Sequence, residues 1–353
     1  MRLVNVDDLT SDMELAKTIY DENNIPVLRE KSRNLDKYVK HIKNLGINYI
    51  YVNDEVSENI ELDYIVDEKL RYQAKIALKD IANDLKNEER IDLEEIRKLI
   101  KKIIESIVID KDKLFHVQSV RNLDDYVFAH SVNTAILSIK TALSMNLNRR
   151  RVKDLALGTM LHDLGKMKVS SGLLEKEREL KDYEYDKVKK HVEYGHEWLK
   201  IEFNISSLVK YIVRFHHERN DGSGYPEGKK EEDLHEVVKI VSVCDVFDAL
   251  TSDRPFRQRW ANNKALDYII SHGGVTFDRE VVKAFKDVVA LYPIGTKVTL
   301  NNGKKALVSE HNEYFPERPV VKVIEDKKGA KLEDPVEVNL LEANDLVVVD
   351  SNF

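Results

Sequence analysis

The sequence predicts a mainly α protein, with a small α/β module ahead of the helices and a small β module after them. Three observations predict it. Only 13 glycines and 7 prolines occur in 353 residues, about half the usual share of roughly 12%, so breaks between helices should be few. From residue 65 to residue 293 apolar positions recur at spacings of three and four, the period of an amphipathic helix. After Pro293 the chain changes to short valine-rich runs separated by turn residues, which read as strands.

Residues 1–64 form the α/β module. Ser32 or Asn34 can cap a helix that runs through Leu35, Tyr38, Val39 and Ile42, with Gly46 where a stop is expected. INYIYV at 47–52 reads as a strand. This stretch shows no chemistry and serves either packing and dimerisation or sensing. Residues 65–114 read as charged linker helices. Ile96, Leu99, Ile103 and Ile107 make a stripe that packs on the next domain or offers a surface for a homodimer. Residues 115–293 are a run of helices, broken near Gly172 and in DGSGYP at 221–226. Residues 294–353 form the β module: KVTL and ALVSE flank Asn302-Gly303, a hairpin signal, and RPVVKVI, PVEVNL and LVVVD follow.

Composition excludes several classes. Lys and Arg number 56 against 63 Asp and Glu, a net charge of -7, which argues against a nucleic-acid polymer as partner but leaves room for a local basic pocket. The single Cys244 rules out an internal disulfide and a cysteine-rich zinc site. No apolar run approaches the roughly 18 residues of a membrane span, and the acidic start MRLVNVDDLTSDMEL is unlike a signal peptide. The expected location is the cytoplasm, without membrane insertion.

Histidine is the informative residue. Six of the 11 histidines (130, 162, 191, 196, 216 and 217) fall in one stretch of fewer than ninety positions. His130 lies on an apolar helical segment. His162 and Asp163 stand in LHDLGK, where they cannot point the same way from one helix face but can both reach an ion cluster at a helix end. Asp163, with two oxygens, can bridge two cations. His191 opens HVEYGHEWL, His216 and His217 are adjacent, and Asp245 follows an apolar run, where a buried carboxylate needs a partner or a metal. Five imidazoles and two carboxylates exceed one four-coordinate zinc. They suit two six-coordinate divalent transition-metal ions, iron or manganese by donor type. His41, His116, His196, His235, His272 and His311 lack such neighbours and read as ordinary surface or packing residues.

HSVN at 130–133, LHDLGK at 161–166, His191, HHERNDGSGYP at 216–226 and DVFDALTSDRPFR at 245–257 together resemble the HD-GYP family, metal-dependent phosphodiesterases of the HD superfamily that degrade bacterial cyclic di-GMP. The resemblance covers residues 115–293, about half the chain, with the motifs in family order. It implies a helical HD-superfamily bundle and metal ligation by His130, His162, Asp163, His191, His216, His217 and Asp245. It implies that Lys166 faces the phosphate, that Arg254 and Arg257 contact substrate phosphate or guanine, and that Tyr225, on a loop shaped by Gly222 and Gly224, lies on the substrate side. Asp248 reads as support for a ligand. Two departures stand out. Tyr126 occupies the position where some members carry a Glu for a third metal, and Asp125 is one residue off, so two metals are favoured over three. Phe256 replaces a common Tyr, removing a hydroxyl. The expected reaction opens cyclic di-GMP to linear pGpG, with further cleavage to GMP. The competing readings are a non-catalytic cyclic di-GMP receptor and a phosphohydrolase acting on another cyclic dinucleotide or nucleotide.

Overall fold

The computed structural model describes residues 1–20, 25–62, 64–87, 91–111, 113–115, 126–174, 176, 178–202, 204–252, 259–312 and 315–352. The amino-terminal module holds β1 (Arg2–Asn5), β2 (Glu14–Leu15), β3 (Ile19–Tyr20), β4 (Pro26–Leu28), α1 (Val39–Asn44) and β5 (Tyr49–Asn53). β5 is central, in the order β1-β5-β2, and β3 and β4 form a separate ribbon. β1 pairs antiparallel with β5 from Arg2↔Val52 to Asn5↔Tyr49. Val6, Leu15, Leu35, Ile42, Ile50 and Val52 fill the core beneath. The expected single helix is split into a 3-10 turn at Leu35–Tyr38 and then α1. Neither expected cap operates. Asn34 has φ 56° and makes no side-chain cap bond, because a capping residue needs extended backbone to aim its oxygen at the first turn. The Ser32 hydroxyl donates instead to the Arg29 carbonyl at 2.6 Å. Gly46, at φ 73°, does follow the helix end.

The bundle consists of α2 (Glu68–Lys86), α3 (Glu94–Ile109), α4 (Tyr126–Ser144), α5 (Arg149–Leu161), α6 (Ser171–Leu174), α7 (Asp182–Lys189), α8 (His191–Lys200), α9 (Ser207–Phe215), α10 (Glu236–Thr251), α11 (Asn262–Ser271) and α12 (Arg279–Lys286). Some starts are set by side-chain caps: Asn148 accepts from Arg151 N at 3.0 Å, and Asp278 from Glu280 N and Val281 N at 3.0 and 3.1 Å. α4 is buried continuously from His130 to Ala142, as its apolar faces require. It packs between α5 and α10, while α9 covers α5 and α8 covers α9. Leu78 and Ile81 of α2 and Ile96, Leu99, Ile103 and Ile107 of α3 belong to this same core. The apolar stripe of the charged helices is therefore buried on the bundle.

The carboxy-terminal module is one antiparallel sheet of β6 (Lys297–Leu300), β7 (Lys305–Glu310), β8 (Val320–Glu325), β9 (Lys331–Asn339) and β10 (Val348–Asn352), in the order β10-β6-β7-β8-β9. Gly303 takes φ 82° in the β6–β7 turn. Pro335, which cannot donate to a ladder, lies in the edge strand β9. The two terminal modules touch: Ile60 packs with Leu307 and Ile324, and Leu3 N donates to the Gly295 carbonyl at 3.2 Å. Among the described residues no helix is long and apolar enough to cross a membrane.

Candidate metal centre

The site is built where helix ends converge on the amino-terminal part of α4. His162 ends α5 and His216 ends α9, so two helix carboxyl termini, with their partial negative charge, favour a cation here. Asp163 follows His162 into a 3-10 turn at Leu164–Lys168. His191 starts α8, and His130 and Asp245 come from the interiors of α4 and α10.

Gly165 explains how His191 reaches this point from a separate helix. A Cβ there would lie 1.9 Å from the His191 carbonyl oxygen and 2.6 Å from Gly195 N. Only glycine lets the turn after Asp163 rest directly on α8. Gly224 does the same for the loop after His217: its Cβ would lie 2.4 Å from Glu218 Cα and 2.4 Å from the His217 carbonyl oxygen. Gly222 supplies a φ of 78°. These two glycines, expected on the substrate side, shape the loop that carries Tyr225.

All seven expected donors come together, in two groups. Asp163, His191, His216 and His217 form one, and His130, His162 and Asp245 the other; within each, the donor atoms lie within 4.8 Å of one another. The carboxylates join the groups. Asp163 turns Oδ1 to His191 Nε2 at 3.4 Å and Oδ2 to His162 Nε2 at 3.5 Å. Asp245 turns Oδ1 to His130 Nε2 at 2.9 Å and Oδ2 to His217 Nδ1 at 3.6 Å. The sequence suggested a bridging place for Asp163; Asp245 takes an equivalent one. Six of the seven donors are buried, and His217 is partly exposed, which marks the open side.

The hydrogen bonds leave this donor set aimed inward. His162 Nδ1 meets the Thr159 carbonyl at 2.5 Å, His191 Nδ1 that of Val188 at 2.8 Å, and His216 Nδ1 that of Val213 at 3.1 Å. A carbonyl only accepts, so each Nδ1 carries the proton and each Nε2 presents a lone pair. His191 Nε2 and His216 Nε2 then face each other at 3.3 Å, a repulsive pair unless a cation lies between them. Among the described residues, His162 Nε2 and Asp163 Oδ1 are buried without a hydrogen-bond partner, a costly state for polar atoms. Ligands about 2.1 Å from one ion stand about 3 Å apart when adjacent in octahedral geometry, close to these separations. The residues fit divalent ions.

Electrostatics agree. Burial pushes the pKa values of His162, His216 and His217 down, and that of His191 to about 4. Burial would raise Asp163 and Asp245, but His162 and Lys166 around Asp163, and His130 and His217 around Asp245, outweigh it and hold both well below the usual range. Neutral imidazoles beside ionised carboxylates are the protonation states that metal binding requires.

Lys166 Nζ lies 2.5 Å from Asp163 Oδ2. The Tyr225 ring stacks on His217 at 4.7 Å between centroids and meets Tyr185 of α7 edge-on at 6.4 Å. Asp248 accepts from His130 Nδ1 at 2.7 Å and from Asn133 Nδ2 at 3.1 Å. Arg254, Arg257, Phe256, Asp125 and His116 lie outside the described residues. Of the other histidines, His235 caps α10 through Val237 N at 3.3 Å, and His311 donates to the Tyr292 carbonyl at 2.8 Å.

Sequence reasoning missed three residues. Glu218 is buried and accepts from Glu227 N at 2.8 Å and Lys229 N at 3.0 Å, tying the loop exit to the histidine pair. Arg219 bonds the Glu218 carbonyl at 2.9 Å and the Ser242 hydroxyl at 3.1 Å, fastening the loop to α10. Tyr185 adds an aromatic wall. The charged Glu-Arg pair directly after two histidines was the available signal for the first two; nothing local marks Tyr185.

A helical bundle with a His-Asp pair at a helix end and further histidines closing on it defines the HD class of proteins. Residues 102–281 match the HD domain family, and residues 297–352 match a KOW domain associated with the HD domain. The chain belongs to the HD domain family, and its motifs place it in the HD-GYP branch. It is 33% identical over 251 residues to the cyclic di-GMP phosphodiesterase PA4108 of Pseudomonas aeruginosa, covering 71% of this chain and 60% of that protein. It is 36% identical over 144 residues to the cyclic di-GMP phosphodiesterase response regulator RpfG of Xanthomonas campestris, covering 40% and 38%. It is 29% identical over 168 residues to the 3'3'-cGAMP-specific phosphodiesterase 3 of Vibrio cholerae, covering 48% and 36%. The fold matches that of Bd1817, an HD-GYP-type protein from Bdellovibrio bacteriovorus, with a TM-score of 0.52 and 19% identity, covering 81% of this chain and 98% of that one.

Proposed function

We propose that this chain is a metal-dependent phosphodiesterase that hydrolyses cyclic di-GMP to linear pGpG and on to GMP. The observation that carries it is the seven-donor cluster, divided in two groups and joined by both carboxylates. His130, His162 and Asp245 would hold one ion and His191, His216 and His217 the other, with Asp163 and Asp245 reaching both. Imidazole and carboxylate donors without thiolate favour iron or manganese. Two divalent ions supply charge neutralisation at a phosphodiester and lower the pKa of an attacking water.

The chain's own groups do the rest. Asp163 and Asp245 remain ionised and balance the cation charge. Lys166, beside Asp163, adds positive charge where a nonbridging phosphate oxygen or the leaving oxygen would lie, a stabilisation that grows as charge builds. Tyr225 and Tyr185 form a wall on the His217 side against which a base can rest. Arg254 and Arg257, three apart, are the proposed phosphate or guanine contacts, since a guanidinium fork suits either. A cytoplasmic location goes with this reading.

One observation favours a second substrate: three relatives bear 3'3'-cGAMP-specific names. The two cyclic dinucleotides differ in one base, so competition between them reads the preference. Replacing His162 and Asp163 together by Ala should abolish hydrolysis with the helical content unchanged by circular dichroism. Full activity in that variant would overturn the site assignment.

A further inference from the structure

Arg71 of α2 lies ahead of the stretch that matches the HD domain family and supplies no expected ligand. It is nevertheless 6% exposed, and a buried charge needs a reason to be there. Its Nε donates to the Val66 carbonyl at 3.1 Å, and its guanidinium lies 5.3 Å from the Phe115 ring centroid. Held in this way, its NH1 donates to Asn133 Oδ1 at 3.0 Å.

We propose that Arg71 is a positioning residue for the metal centre, acting through Asn133 and Asp248 to fix which nitrogen of His130 faces the ions. The inference rests on the reading of His130 as a metal ligand. The argument is one of hydrogen-bond polarity. A guanidinium only donates, so the Asn133 atom facing Arg71 must be the oxygen, and the amide cannot flip without setting NH2 against NH. Asn133 Nδ2 is thereby turned to Asp248 Oδ1, at 3.1 Å. Asp248 is then held with Oδ2 2.7 Å from His130 Nδ1. A carboxylate there accepts, so His130 keeps a proton on Nδ1, and Nε2, 2.9 Å from Asp245 Oδ1, is the nitrogen that faces the cluster. The other three buried histidines obtain the same polarity from backbone carbonyls. His130, inside α4, meets a carboxylate with its Nδ1 instead of a backbone carbonyl. The relay supplies from side chains what helix ends supply to the others. It also makes α2 part of the functional unit.

The test uses the full chain, metal-free and reloaded with Mn2+ alone, comparing wild type with Arg71→Met and Arg71→Lys. Outer partners of ligating histidines typically change metal affinity about 10–100-fold. Arg71→Met should weaken Mn2+ binding by about that much in chelator competition. Arg71→Lys, which keeps a donor and a charge, should recover part of the loss and carries the test if the Met variant does not fold. In histidine-selective 15N spectra of the metal-free protein, one imidazole should lose its fixed Nδ1–H signature in Arg71→Met. A variant that is less heat-stable but binds Mn2+ as wild type does, with unchanged imidazole signals, would reduce Arg71 to a packing role and overturn the inference. If wild type itself binds no Mn2+, the metal-site reading fails instead.

Discussion

Replacing Gly165 by Ala should separate the two halves of the metal centre. The Cβ would stand 1.9 Å from the His191 carbonyl oxygen and 2.6 Å from Gly195 N, both backbone atoms. Ordinary contact at such atoms needs about 3.2 Å, so the turn and α8 must part by roughly 1 Å. Asp163 lies two residues to one side of this contact and His191 on the other, with Asp163 Oδ1 3.4 Å from His191 Nε2. Metal sites tolerate about 0.2 Å of error in ligand distance. The shift exceeds that several-fold and should remove His191 from the ligand set, weakening metal binding at that position by about 100-fold or more. Overpacking should also cost about 1–3 kcal/mol of stability. Gly172→Ala is the control, since among the described residues its Cβ meets only the Ser170 hydroxyl oxygen, at 3.9 Å. Metal content after dialysis against a weak chelator, with circular dichroism to confirm folding, makes the comparison. If Gly165→Ala keeps wild-type metal content and affinity, the close contact does not set the site.

Two further predictions follow the same geometry. Gly224→Ala, whose Cβ would lie 2.4 Å from backbone atoms of His217 and Glu218, should displace the Tyr225 loop and lower kcat/KM for cyclic di-GMP about 100-fold with less effect on metal content; unchanged kinetics would detach this loop from substrate. The metal-free protein should lose stability as pH falls from 6.5 towards 4, because His191, near 4 when folded and near 6.5 when unfolded, binds its proton first in the unfolded chain. That contribution is about 3 kcal/mol. It is fully present above pH 6.5, and bound metal should shift the loss to lower pH. Urea titrations across this range read it, and a flat profile would count against buried neutral imidazoles.

Much of this was legible in the sequence because the signals were local or additive. The apolar period of three and four marked α3, and Asn302-Gly303 marked the β6–β7 turn. The donors were recognisable by type, and their motifs by order. The place of Asp163 between the two donor groups was foreshadowed by its two oxygens beside a helix end. What was hidden depended on where backbones meet. Nothing in LHDLGK shows that Gly165 rests on His191, since that contact joins a turn to a helix beginning 26 positions later. The matching place of Asp245 needed the α10 register against α4. Arg71 read as one charge on a charged helix, and only its burial against Asn133 tells it apart from its neighbours. The amino-terminal helix start failed for a local reason: Asn34 has a capping side chain but a left-handed backbone.

The central claim is a dinuclear centre that cleaves a cyclic dinucleotide. It is tested most directly by incubating cyclic di-GMP with anaerobically purified protein of determined metal content and identifying the product. The account predicts close to two iron or manganese ions per chain and the appearance of pGpG and then GMP, both lost on chelation. Cyclic di-GMP recovered intact from protein that holds both ions would contradict it.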